Sequence, residues 1–463
     1  MTGSLPFSRS AGLSDRYLLA LVCALLGYAL MGKGFAYFGY RPVFVGEFIF
    51  VVGLLVLLRS GCLIAVFASA PSLVLAATMG WAILRTLPFV GTYGVDALRD
   101  SVILMYGGFS FVVAALLIED YRRIDTLVRY YRTFLGIYIP AVLVLFPLSF
   151  YFSNYVPNIP GTTVSLVWVG AGEVAAHLTG AAVFVLAGFR RPTAFWTACL
   201  FAALVMVSAV SRGAMLAFIV PVILAAIMLG KIRMLAIVSV AGLGLLAAAY
   251  TLETSFSNYE EARSSTERRV SSVQLAENVA SMFGRGGDQT EGTKEWREKW
   301  WRIIVDNTVR GRYFWTGRGF GVNLAMEDGF GNPRNERPLR SPHNGHMTIL
   351  ARAGIPGIVL WSAFLATWFG SLLYTTMVAR RRGQTGWSGL LLFIACYALS
   401  CVINASFDVA LEAPMQGIWF WCLIGFGIGA TMIYRYQQVR DQWETTPVRP
   451  LVPAGAHGSQ LPS

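Results

Sequence analysis

The amino-acid sequence predicts an all-α polytopic membrane protein with about twelve transmembrane helices and one long polar segment. Three observations carry that prediction. Of 463 residues, 56% are hydrophobic and only 13% charged, against about 25% charged in an ordinary soluble protein. Apolar runs of spanning length, about 20 residues, recur along the chain. Lysine and arginine concentrate in alternate connections between those runs, the asymmetry expected of a chain threaded repeatedly through a bilayer.

The first run, roughly 17–36, follows Arg9 and Arg16. No small-residue cleavage site comes after it and further runs follow, so it is expected to be a permanent helix and not a signal peptide. Runs at roughly 42–58, 62–84, 101–118, 133–152, 167–189, 194–211, 213–229 and 234–252 complete an amino-terminal block, 1–252, of about nine helices. A polar segment occupies 253–345. Runs at roughly 347–378, 389–407 and 414–434 then place about three helices in 346–435. The run 347–378 is too long for one upright helix, so its first turns are expected to lie in the interface or to tilt. Residues 436–463, with their Pro, Gly and Ser, are expected to form a disordered cytoplasmic tail.

Placing the amino terminus in the cytoplasm puts Arg59, then Arg122, Arg123, Arg129 and Arg132, then Arg190 and Arg191 on the inside. Lys231 and Arg233, Arg380 to Arg382, and Arg435 follow on the same side. Both termini are then cytoplasmic and the long segment faces outward. The net charge of +12 is spread over short loops, which speaks for topology and contact with anionic membrane lipid and against nucleic acid. Cys23, Cys62, Cys199, Cys396, Cys401 and Cys422 all lie in apolar runs. No disulfide framework is implied, and the thiols are expected to be buried and inert.

The outward segment Glu253–Ser341 carries Trp296, Trp300, Trp301 and Trp315. A loop of that length without a function is unusual. Thr254–Asn278 reads as helical and polar. Lys294–Val309 reads as an amphipathic helix with Trp296, Trp300, Ile303 and Ile304 on one face and Arg297 at its flank. Gly317-Arg318-Gly319-Phe320-Gly321 makes a flexible turn, either a turn only or a backbone nest for phosphate.

Two of the four histidines stand in Ser341-Pro342-His343-Asn344-Gly345-His346, where the polar segment ends and the chain turns apolar. Imidazole titrates near neutrality, so this placement suggests proton transfer at the edge of the bilayer, with an interfacial solvated histidine as the plainer reading. A zinc site would need more ligands than the two histidines supply. Arg212 sits in Ser211-Arg212-Gly213 between two apolar runs. It either snorkels and marks a helix end or binds an anion through its planar fork. Arg297 is explained either by i,i+4 pairing on a charged face or by the same anion chemistry. Glu173 and His177, at i,i+4, could pair or form a proton relay, the feature that most favours a transporter.

Taken together, these residues resemble the O-antigen ligase and Wzy-type polymerase family of membrane glycosyltransferases. The family motif is His, then Asn, Ser or Gln, nine residues, then Gly-x-x and a Gly, Thr or Tyr. His343-Asn344, the spacer Gly345–Ala353, Gly354 and Gly357 match it in full. Ser211-Arg212-Gly213 resembles the family's arginine at the start of a span before the long periplasmic loop. Arg297-Glu298-Lys299-Trp300-Trp301 and Gly317–Gly321 resemble the loop's arginine and Gly-rich region, with Arg302, Arg310 and Arg312 as other occupants of the loop role.

The resemblance covers about 200–360 best. It implies a GT-C-like helical fold in the bacterial inner membrane, with the active site on the periplasmic side and neither metal nor cofactor. No Asp-x-Asp occurs in the outward loops, in keeping with that. It implies a glycan donor carried on undecaprenyl diphosphate and an acceptor hydroxyl on a glycan or glycolipid such as lipid A–core. Arg212 and Arg297 would hold the diphosphate. His343 would act at the acceptor hydroxyl as general base or by orienting it, and Asn344, His346, Arg318, Gly319 and Gly321 would line the substrates. Transfer would proceed with inversion while the long loop closes over the cleft. A Wzy-type O-antigen or exopolysaccharide polymerase fits the same motif. A secondary transporter or flippase would instead show repeated halves, and none is visible.

Overall fold

In lipid every backbone N–H and C=O needs an internal partner, and this chain meets that demand almost wholly with helices. The computed structural model describes residues 12–40, 42–237, 239–240, 242, 244, 288–331 and 339–445, and is 78% helical. The amino-terminal block comprises α1 (Leu13–Met31), α2 (Lys33–Ala36), α3 (Val45–Arg59), α4 (Leu63–Val66), α5 (Ala70–Tyr93), α6 (Val95–Met105), α7 (Gly108–Glu119), α8 (Arg123–Phe150), α9 (Ala171–Leu186), α10 (Ala194–Val210) and α11 (Arg212–Leu229). A two-stranded antiparallel hairpin, β1 (Gly39–Tyr40) and β2 (Val43–Phe44), sits between α2 and α3. From the polar segment come α12 (Asp288–Val309) and α13 (Leu324–Glu327), followed by α14 (Gly345–Arg381), α15 (Thr385–Ala405) and α16 (Pro414–Thr445).

Seven of these helices are long and apolar enough to cross a membrane, and the α6–α7 pair, bent by 43°, makes an eighth if counted as one span. This is a multi-pass membrane protein, with fewer full-length spans among the described residues than the dozen expected. The runs expected at 167–189 and 194–211 are helices of 16 and 17 residues. The run at 42–58 is a helix of 15 residues, and most of 234–252 lies outside the described residues, as does the expected helix Thr254–Asn278. The run at 101–118 breaks at Gly107–Gly108, a glycine pair that favours a bend.

The core lies on α15 and α16, whose Phe393, Tyr397, Phe420 and Trp421 are buried. Their neighbours are α7, α9 and α11. Tryptophan N–H groups there are satisfied by carbonyls across helices, Trp421 Nε1 to Ile103 O at 3.2 Å and Trp368 Nε1 to Ile424 O at 3.0 Å. Leu58, Leu84, Leu87, Ile137 and Val144 point away from the bundle, which suits helices solvated by lipid tails.

The segment Gly345–Arg381 is two helices joined at Gly354, whose φ of 70° and ψ of −169° are not helical. A Cβ there would stand 2.7 Å from Phe314 O and 2.8 Å from Gly317 N, so only glycine fits. The indole Nε1 of Trp361 donates to Nδ1 of His346 at 3.0 Å. Fifteen residues of straight helix would separate those Cα atoms by about 22 Å. The chain therefore turns back at Gly354, and the first helix lies beside the start of the second.

The described part of the long loop is docked on this folded-back segment. Trp300, Ile304, Leu324 and Ala325 form a small core with Leu350 and Ala351. Arg318 N donates to Ala351 O at 2.8 Å and Gly319 N to Arg352 O at 2.9 Å. Trp81 Nε1 donates to Ala353 O at 2.8 Å. The last carbonyls of the short helix, orphaned by its end, thus find partners in the Gly-rich turn and on α5.

Candidate active site

The turn between α15 and α16 is where the predicted residues meet. Arg297, half-buried on α12, donates from Nη1 to Phe407 O at 2.9 Å. Arg212 is half-buried at the first position of α11, which Ser211 caps by accepting from Ala214 N at 3.2 Å. Its neighbour Gly213 lies so close to the same turn that a Cβ would stand 2.8 Å from Phe407 Cβ. Asp408, next in the chain, faces His343, with Oδ1 and Nδ1 3.5 Å apart.

His343 is held in a costly shape. Its φ is +51°, a region that ordinary residues occupy at a penalty of order 1–3 kcal/mol and that recurs at functional sites. Its neighbours keep it there. Asn344 Oδ1 caps α14, accepting from His346 N at 2.9 Å and Met347 N at 3.1 Å. Trp301 Nε1 donates to Pro342 O at 3.1 Å, and the Trp296 ring lies 6.3 Å from the imidazole. The loop helix that brings Arg297 to the site therefore also fixes the backbone of His343.

Asp408 was not legible as a site residue. It lies far from His343 in sequence, and a short polar turn between two apolar runs is its only local signal. Burial alone would raise its pKa. The facing His343 imidazole, the hydrogen bond from the Val409 amide and the Arg297 charge outweigh burial and hold the carboxyl below the usual aspartate value. Farther along the same turn, Glu412 Oε1 accepts from Thr348 Oγ1 at 2.7 Å on the folded-back helix. Burial pushes this carboxyl up, opposed by its Thr348 bond and by the charge of Arg352.

Arg318, Gly319 and Gly321 are not brought to His343. Arg318 is buried and paired, Nη2 to Asp328 Oδ1 at 2.6 Å and Nη1 to Glu327 Oε2 at 3.4 Å. Trp300 Nε1 donates to the other Asp328 oxygen at 2.8 Å. Gly319 and Gly321 press against Phe89 and Tyr93 of α5. The amides of Arg318 and Gly319, which a phosphate nest would need, are spent on α14. Asn344 is a cap, and His346 belongs to the Trp361 contact. Of the other loop arginines, Arg302 is exposed, Arg310 pairs with Asp306 at 3.0 Å, and Arg312 lies 4.7 Å over the Tyr313 ring.

Glu173 and His177 do not pair. Glu173 Oε2 accepts from Gly170 N at 3.3 Å. Buried His177 bonds through Nδ1 to the Tyr397 hydroxyl and packs against Trp419. Among the described residues no three His, Cys, Asp or Glu side chains group so as to hold a metal ion.

One end of this multi-pass helical bundle thus brings Arg297, the helix start at Arg212–Gly213, His343 and Asp408 to a single turn. Residues 197–362 match the family model described as O-antigen ligase, which supports membership of the O-antigen ligase family. The matched region includes Arg212, Arg297, Arg318, His343, Asn344 and His346, and stops short of Asp408. No curated protein matches the chain.

Proposed function

We propose that this protein transfers a glycan from undecaprenyl diphosphate to an acceptor hydroxyl at the periplasmic face of the bacterial inner membrane, as an O-antigen ligase-type glycosyltransferase. The observation that carries the reading is the convergence of Arg297, the Arg212–Gly213 helix start and His343 on Phe407–Asp408. Two guanidiniums match a multiply charged leaving group and lower the cost of charge developing on it. Asp408, kept anionic, orients the His343 imidazole and stabilises it when it takes the acceptor proton. The acceptor oxygen attacks the anomeric carbon, the bond to the diphosphate breaks, and the configuration inverts. Twelve spans with both termini inside, and no metal in the mechanism, complete the reading.

The polymerase alternative uses the same site with a repeat unit as acceptor. The glycan phenotype of a deletion strain separates the two: loss of a ligase leaves polymer on the lipid carrier, loss of a polymerase leaves single repeat units. Transfer assayed from purified lipid-linked donor, with and without chelator, tests the chemistry. Full activity in His343→Gln would defeat the base assignment, and loss of wild-type activity with chelator would defeat the metal-free mechanism. Labelling a cysteine placed at Asp306 tests orientation; reaction only after the inner membrane is permeabilised would reverse it.

A further inference from the structure

A second polar group adjoins the site and has no part in the chemistry above. The segment Gly32–Gly34 is pressed into the loop before α9. Lys33 N donates to Trp168 O at 2.8 Å, and Trp168 N donates to Met31 O at 3.0 Å. A Cβ at Gly32 would stand 2.1 Å from Trp168 O, and one at Gly34 1.9 Å from Leu166 O. Next along the loop, Val169 N donates to Ser149 Oγ at 2.9 Å. Trp168 is thus held from both sides on backbone contacts. Its ring carries the Lys33 ammonium 4.6 Å from the centroid, while 38% of the residue stays open.

This group reaches the site through Glu173. Glu173 lies within electrostatic reach of both Lys33 and Asp408. The adjoining Gly172 packs on Asn404, where a Cβ would stand 1.9 Å from Oδ1. Asp408 N donates in turn to Asn404 O at 3.0 Å. The loop bearing Trp168 and the turn bearing Asp408 are neighbours.

Resting on the transfer reaction above, we propose that Trp168 and Lys33 form a glycan platform that binds the donor's sugar and leaves the diphosphate to Arg212 and Arg297. Charge decides between sugar and phosphate. Lys33 is a single ammonium lying over the Trp168 ring, so this end offers a hydrogen-bond donor and a flat apolar ring with one charge at most. That combination suits hydroxyls and the C–H face of a pyranose. A diphosphate needs the surplus positive charge of the arginines. The backbone contacts fix the ring in advance, so little freedom is lost on binding.

The test compares two probes in purified full-length protein: the lipid-linked glycan as substrate and undecaprenyl diphosphate, without sugar, as inhibitor. Lys33→Met and Trp168→Ala are expected to raise the donor KM about tenfold with kcat within about twofold, a loss of binding and not of chemistry. The inhibition constant of undecaprenyl diphosphate is expected to stay at the wild-type value. If Trp168→Ala does not fold, Lys33→Met carries the test at about tenfold, and Trp168→Phe, which keeps a smaller ring, is expected to raise the donor KM about threefold. Wild-type donor KM in the folded variants overturns the platform alone. A parallel rise of donor KM and inhibition constant also overturns it, because the contact is then with phosphate or with the scaffold. A wild-type protein that transfers no glycan removes the transfer reading itself, and the platform with it.

Discussion

Nδ1 of His343 stands 3.5 Å from Oδ1 of Asp408, joining the turn that opens α14 to the turn that closes α15. Neither element could place the pair alone. If Asp408 acts by orienting and stabilising the imidazole, Asp408→Asn should cost roughly 10²-fold or more in transfer, in the range of a positioned acid–base group. The double variant Asp408→Asn with His343→Gln should be little worse than either single change, because the two act as a unit. Losses that simply multiply would show independent roles. The pKa of Asp408 is depressed in the fold, so its contribution to stability is present above the unfolded aspartate value. That contribution is lost as pH falls through the lower folded value. Acid should therefore not uncouple the pair until below the ordinary aspartate range.

Arg297 contacts the Phe407 carbonyl, and Arg212 begins the helix whose Gly213 packs on the same residue. Arg212→Ala and Arg297→Ala should each abolish most transfer while the protein still inserts. Removing one partner of a desolvated charge pair costs about 2–5 kcal/mol. Lysine should rescue either site only in part, since it lacks the fork. Arg297→Ala should also loosen the Phe407 turn and show a lower melting temperature than Arg212→Lys. Near-normal transfer in either alanine variant at normal expression would remove that residue from the diphosphate site.

What could be read from sequence followed from period and spacing. The apolar runs, the helix over Lys294–Val309 and the His343-Asn344 to Gly354 interval are local patterns, and local patterns survive folding. The fold-back of α14 was hidden because the Gly354 break sits inside a segment whose average hydropathy reads as one run, and hydropathy carries no record of direction. Asp408 was hidden because its partner is distant in the chain. Arg318 drew a substrate role from its glycines, whereas the glycines serve close contact with Arg352 and α5 and the guanidinium is tied to Asp328. A basic residue in a Gly-rich turn reads the same in both cases until its acidic partners are located.

Glu412 gives a prediction of the opposite pH sign. Its carboxyl is buried and its pKa raised, despite the Thr348 hydroxyl and the Arg352 charge. A carboxyl that holds its proton more tightly folded than unfolded lowers stability once ionised, and the fold gains stability as pH falls through the raised value. Glu412→Gln keeps an acceptor for Thr348 and removes the charge. It should melt at the wild-type temperature or above at neutral pH, with the gap closing on acidification. Melting curves in detergent across pH would decide. A glutamine variant less stable at neutral pH would mean that the charge is needed by Arg352.

Arg318 tests whether the loop is a substrate surface or a strut. Its side chain is 4% exposed and that of Asp328 2%, with the Nη2–Oδ1 contact at 2.6 Å. Asp328 also receives the Trp300 indole at 2.8 Å, and Trp300 packs in the small core with Leu350 on the folded-back helix. Breaking a buried pair by removing one partner costs about 3–5 kcal/mol, because the other charge is left uncompensated. Arg318→Ala should therefore melt at a clearly lower temperature, with transfer falling as the folded fraction falls. Replacing the pair together, Arg318→Met with Asp328→Asn, should recover part of the loss, since the asparagine oxygen can still accept from Trp300 and no lone charge remains buried. A substrate role makes different demands. Arg318→Ala would then keep wild-type stability and raise the donor KM, and the double variant would recover nothing. Measuring melting temperature and KM on the same three preparations separates the two, and an unchanged melting temperature in Arg318→Ala would sink the strut.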